Sequence, residues 1–143
     1  MRIVHLFLIF IFITATWQPV VWADDGLAVI VAANNSLNKL SVETLKQIYL
    51  LKKPMDDEGN RWIPLNLSLE EPLRRRFSQF LFSVSPEEHE EYWNIQYFNG
   101  ISPPKVVNSE EAVLRFVSVT HGAIGYVRTQ KVDNRVKVLL TIP

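Results

Sequence analysis

The side chains able to do chemistry are few, and their spacing excludes most reactions. Past the first two dozen residues, His89 and His121 are the only imidazoles. No G-x-S-x-G turn presents a serine nucleophile to either of them. His89 falls on an aromatic helical face near Trp93, which gives it a packing role. His121 stands before Gly122 at a helix-to-strand turn, where an imidazole either caps helix carbonyls or touches a ligand. Asp56-Asp57-Glu58-Gly59-Asn60 concentrates carboxylates, but they are adjacent and the loop is too short for a calcium-binding loop. It reads as a solvated turn. No glycine pattern cradles a nucleotide phosphate. Cysteine is absent, so thiol catalysis, zinc–thiolate sites and iron–sulfur clusters are excluded. No enzyme, metal site or cofactor is expected.

Arg74-Arg75-Arg76 suggests anion binding, yet successive helical residues point ~100° apart and cannot converge on one ligand. With Leu73 and Phe77 turned to the core, Arg74 and Arg76 flank the apolar stripe and Arg75 points to water. A helix start is a natural anion site because its N–H groups are unpaired. Here that position carries Glu70 and Glu71, whose charges already satisfy the helix dipole and repel an anion. Trp62, Tyr92, Trp93, Tyr97 and Phe98 could stack on a ring, but strand and helical spacing makes them core.

These side chains must be positioned by alternating strands and helices. Leu27 to Ala33 is a β-branched apolar run, read as a strand buried on both faces of a parallel sheet. Ser41 caps a helix through Tyr49, which Lys52-Lys53-Pro54 ends. Trp62 to Leu67 is a second strand, where Pro64 predicts an edge or an irregular ladder. Glu70 to Phe82 is helical. Ser85-Pro86-Glu87-Glu88 is a capping box opening a third helix, which runs to about Phe98. Lys105 to Val107 is a short strand, and Asn108 with Glu111 caps a fourth helix. Ala123 to Val127 and Arg135 to Ile142 are the remaining strands. The expected fold is α/β: one three-layer domain with a mostly parallel sheet.

The chain opens on Arg2, an apolar run from Ile3, Pro19 and a small residue at Ala23, the pattern of a signal peptide over residues 1–23. The run is shorter than the ~20 residues of a membrane span, so no stable membrane insertion is expected after cleavage. Residues 24–143 are then a single domain, periplasmic or secreted. The full chain is neutral, with 15 basic and 15 acidic residues, and losing Arg2 leaves one net negative charge. Nothing in that balance points to nucleic acid.

Four segments carry a resemblance. They are the strand ending Ala32-Ala33-Asn34; the helix Leu40-Ser41 to Tyr49-Leu50; Tyr92-Trp93-Asn94 through Phe98-Asn99-Gly100 with Pro103-Pro104; and Gly122-Ala123-Ile124-Gly125-Tyr126-Val127. In that order the chain resembles small stand-alone domains related to the phosphate-binding proteins of ABC transporters, of the type II periplasmic-binding-protein fold. The resemblance implies a secreted α/β lobe related to solute transport. In full-length members it also implies a tetrahedral oxyanion held between two lobes, partly by a serine-glycine-threonine turn at a helix start. That turn should lie at Glu71-Pro72-Leu73, where none of its residues is retained and Pro72 lacks the backbone donor. The other lobe's anion loop has no counterpart.

Two readings follow. In the first, the domain binds a small oxyanion or other solute on an open face at the carboxyl ends of its strands. Asn34, Ser68, Glu71, Arg74, His121 and Gly122 would line that face. In the second, it has lost the ligand and is a protein-interaction or sensory module with an envelope protein as partner.

Overall fold

The computed structural model describes residues 26–143; the leader expected at 1–23 lies outside the described residues. Among the described residues no helix is long and apolar enough to cross a membrane. The chain runs β1 (Leu27–Ala32), α1 (Val42–Tyr49), β2 (Ile63–Leu67), α2 (Pro72–Phe82), α3 (Pro86–Phe98), β3 (Lys105–Val107), α4 (Glu110–Val119), β4 (Ala123–Arg128) and β5 (Val136–Ile142). A single 3-10 turn at Thr129–Lys131 links the last two strands.

The sheet order is β3-β2-β4-β1-β5. β2 pairs in parallel with β3 and with β4, whereas β1 is antiparallel to both β4 and β5. Four strands therefore point one way and β1 runs against them. The expectation of a mostly parallel sheet holds for strand direction, but the ladder is mixed. β1 is indeed buried on both faces, in antiparallel company rather than parallel. Coverage by helices on both faces is what buries it, and that does not fix strand direction.

Two adjacent residues of β4 define the layers. Tyr126 faces α1 and α2, stacking on Phe77 at 3.9 Å and lying 6.3 Å from Tyr49. Gly125 faces α4: a Cβ there would lie 2.6 Å from Val113 Cγ1, so the helix approaches as closely as only glycine allows. Three layers result, with α1, α2 and α3 on one side and α4 on the other.

β2 corrects the sequence in one respect. It lies inside the sheet, not at its edge, and Pro64 is buried. The ladder is irregular as expected: Ile63 and Pro64 pair with β4, and Leu65 to Leu67 pair with β3. Pro64 thus sits before β3 begins. Where β2 leaves β4, tyrosine hydroxyls occupy the gap. The Tyr49 hydroxyl donates to Leu65 O at 2.8 Å, and Leu67 N donates to the Tyr126 oxygen at 3.2 Å. The Tyr126 hydroxyl then donates to Asn66 Oδ1 at 3.2 Å. Burial of these hydroxyls pushes both phenols up, Tyr126 to about 12.

Helix starts follow local chemistry. Ser41 accepts from Thr44 N, and Ser85 and Glu88 make both bonds of the capping box. The cap of α4 is Ser109, which accepts from Ala112 N, and not Asn108. The first helical residue of α2 is Pro72, with Glu71 as an N-cap that makes no side-chain capping bond.

Candidate functional site

The strand directions divide the expected face in two. Ser68, Glu71 and Arg74 follow β2, at the end of the sheet where β2, β3, β4 and β5 finish. Asn34 follows β1, and His121-Gly122 precede β4, so all three lie at the opposite end. The six residues do not form one wall. For Asn34 the reversal of β1 is the reason, because its carboxyl end lies beside the starts of its neighbours; His121 and Gly122 precede β4 and lie at its start whichever way β1 runs.

Several of the six have local work. Gly122, at φ +79°, would place a Cβ 2.1 Å from Arg61 O, and its own carbonyl accepts from Ile63 N at 2.9 Å. Close backbone approach explains that glycine. His121 and Asn34 are exposed. The Ser68 hydroxyl donates to the Glu70 carboxylate and holds it below its ordinary range. Glu71 faces a cavity with Ser109, Glu110, Glu111, Arg128 and Lys131. Of its two cations Arg128 is engaged: it pairs with Glu110 at 3.2 Å and also donates its backbone N–H there at 2.7 Å. The start of α2 therefore faces an acidic rim.

Arg74 stands apart. Only 9% of the residue is exposed, and its Nε and Nη1 are buried with no hydrogen-bond partner. It shares the buried face of α2 with Phe77, Ser78 and Leu81, at spacing i, i+3, i+4 and i+7. Its neighbours on the chain behave otherwise: Arg75 is exposed and grips Glu87 with two bonds of 3.0 and 2.6 Å. Arg74 lines a cavity of about 320 Å³ with Asn66, Leu69, Pro86, Glu90, Trp93, Asn94, Pro103, Pro104 and Val106. β2 and β3 provide the floor, since Asn66 and Val106 are register partners. α3 and the Pro103-Pro104 loop form the walls.

The electrostatics of this cavity are one-sided. His89 is buried among Phe82, Tyr92 and Trp93, with ring centroids 4.2, 5.2 and 5.8 Å away. Burial first, and the Arg74 charge second, push its imidazole below the ordinary histidine range, so it is neutral at pH 7. The packing role expected for His89 is what the structure gives. The nearest carboxylate on the cavity lining is that of the exposed Glu90. A guanidinium remains charged at every physiological pH, so the lining carries one cation, Arg74, for which no ion pair is formed among the described residues, and one carboxylate, Glu90, at the exposed side.

Sequence reasoning placed Arg74 at the margin of the apolar stripe and missed Asn66 and Trp93 as its companions. The i, i+3 relation to Phe77 was the available signal for its burial. A second cavity, about 460 Å³, opens at the opposite end of the sheet beside Trp62, Leu40 and Asp56. Trp62 Nε1 is buried there without a partner, but the polar groups around it serve their own segments. Ser41 caps α1, Lys53 pairs with Asp57, and Asp56 accepts from Glu58 N and Asn60 N. The acidic turn is held shut by itself, as a solvated turn should be.

No family model and no curated protein matches this sequence. Solved structures do. A phosphate ABC transporter substrate-binding protein from Clostridium perfringens with bound phosphate aligns with TM-score 0.66 and 22% identity, over 80% of this chain and 44% of its own. An ABC-type phosphate transport receptor from Vibrio cholerae aligns equally, with TM-score 0.66, 22% identity and coverage of 80% and 45%. PstS from Borrelia burgdorferi gives 0.60 at 15% identity, covering 80% and 46%. This chain spans under half the length of each of them. At such identities the likeness is one of fold. The chain is an α/β domain whose fold resembles that of phosphate-binding proteins of ABC transporters.

Proposed function

We propose that this chain is a non-enzymatic solute-binding domain of the cell envelope that takes a small anion on one open side of its sheet. The observation that carries the reading is the Arg74 guanidinium, buried and without partners at two of its nitrogens, in a cavity that reaches solvent past exposed Glu90 and Asn94. Burying a charge without a counter-ion costs several kcal/mol, of order ~3–5 when a partner is missing, and a bound anion would return it. The fold's likeness to phosphate-binding proteins supports the same class of ligand. The anion would not sit at the start of α2, where Glu71 and Pro72 replace donors. Periplasmic or secreted location rests on the signal-peptide pattern of residues 1–23.

The test is thermal unfolding of the chain purified from the envelope, titrated with phosphate, sulfate and acetate. Native-state binding raises the midpoint by mass action, and Arg74→Gln abolishes the rise. A flat response to millimolar concentrations of all three anions sinks the reading. N-terminal sequencing of the same sample should begin at Asp24, and an intact Met1 end would overturn the envelope location.

A further inference from the structure

The geometry beside Arg74 points to a more specific ligand: a small organic monocarboxylate with an apolar body, such as an aryl or branched-alkyl acid, in preference to inorganic phosphate. This rests on the anion reading above and goes further by naming the chemical class.

Charge comes first. One guanidinium is uncompensated, and His89 beside it is neutral at pH 7. A single negative charge balances it. Phosphate near neutral pH brings more, and Glu90 on the lining repels a doubly charged anion more strongly than a singly charged one.

Donor supply is the second argument. A phosphate taken out of water has four oxygens to satisfy, and the site offers few N–H groups. Pro86, Pro103 and Pro104 on the lining have none. Asn66 Oδ1 already accepts from Tyr126, which leaves its amide and that of Asn94 as the side-chain amides on the lining. The guanidinium nitrogen outside the buried unpaired pair, Nη2, with the amides on the lining, suits the two oxygens of a carboxylate better than the four of a phosphate.

The third argument is the wall. Leu69, Pro86, Trp93, Pro104 and Val106 surround the polar floor with apolar surface. Trp93 is held edge-on by Tyr92 at 5.0 Å, so its indole is a fixed surface and not a flexible cover. An inorganic ion leaves that surface wet. An acid with a ring or a branched chain covers it, and the cavity of about 320 Å³ lies at the small end of ligand-site volumes, ~300–1,000 Å³.

The experiment compares benzoate, benzamide and phosphate on the full chain by calorimetric titration and thermal unfolding. Benzoate should bind about tenfold or more tightly than phosphate, a difference equal to ~1.4 kcal/mol. Benzamide, the neutral isostere, should be as weak as phosphate. Arg74→Gln should weaken benzoate by about 10- to 100-fold, the usual range for losing a charged hydrogen-bond partner. Arg75→Gln, an exposed residue one position away, should leave it unchanged. Phosphate binding that depends on Arg74 and equals or exceeds benzoate binding overturns the carboxylate inference while the anion reading stands. Benzamide equal to benzoate also overturns it. Silence toward every anion overturns both.

Discussion

Two arginines in this domain live under opposite regimes. Arg135, at the surface between α4 and β5, bonds both oxygens of Glu111 at 3.0 and 3.1 Å and both oxygens of Asp133 at 2.7 and 3.0 Å. Arg74, between α2 and α3, is nearly buried and has two nitrogens with no partner. Water could have solvated the first without any carboxylate, and cannot reach most of the second. Pairing is dense where it stabilises least and missing where its lack costs most. Surface ion pairs contribute little because solvent competes for both ends. A buried unpaired charge is a standing penalty, which the proposed anion would relieve.

This contrast is breakable. The largest expected effect is at Arg74. Arg74→Met removes the buried charge and keeps an unbranched side chain, so unfolding in urea without added anion should show a gain of about 1–4 kcal/mol. A loss of that size would mean the guanidinium is already satisfied, and the comparison collapses. Next comes Tyr126→Phe, which deletes a buried hydroxyl that does have partners and leaves Leu67 N without its acceptor. Here a loss of about 1–3 kcal/mol is expected in the same measurement. If both substitutions destabilise alike, the distinction between paired and unpaired buried groups has no energetic content here.

The smallest effect belongs to Arg135→Ala, which should leave the melting midpoint nearly unchanged in physiological salt. What it should change is the acid limb. Arg135 and Arg115 hold the Glu111 carboxyl down to about 2, from an ordinary value of 4.5. A depressed folded-state value stabilises above the unfolded one and fades as pH falls from 4.5 toward 2. Arg135→Ala should flatten the decline of stability across that window, and an unaltered acid limb would show that the cluster is not felt by folding.

The sequence carried the elements well because their signals are local. Ser41 and the Ser85–Glu88 pair announce helix starts through side chains that reach only three residues along. The glycines of Gly122-Ala123-Ile124-Gly125 marked real close approaches, one to Arg61 O and one to Val113. Strand direction was not legible. A buried apolar strand such as Leu27–Ala32 looks the same whether its neighbours run with it or against it. That ambiguity moved Asn34 to the other end of the sheet, while His121 and Gly122, which precede β4, stand at a strand start whatever the direction of β1. Arg74 was misjudged for a different reason. Charge suggested a boundary position, while its spacing from Phe77 and Leu81 placed it inside.

The reversed strand has a further consequence, in the order of assembly. β1 is the first strand along the chain, yet its two ladder partners are the last two, β4 and β5. Among the described residues, no stretch ending before Ala123 contains a mate for either edge of it. During synthesis this apolar segment must therefore wait, open on both edges, until β4 and β5 have been made. Such long-separation pairing puts loop-closure entropy ahead of any reward and makes folding slow. The sheet closes around its oldest strand last.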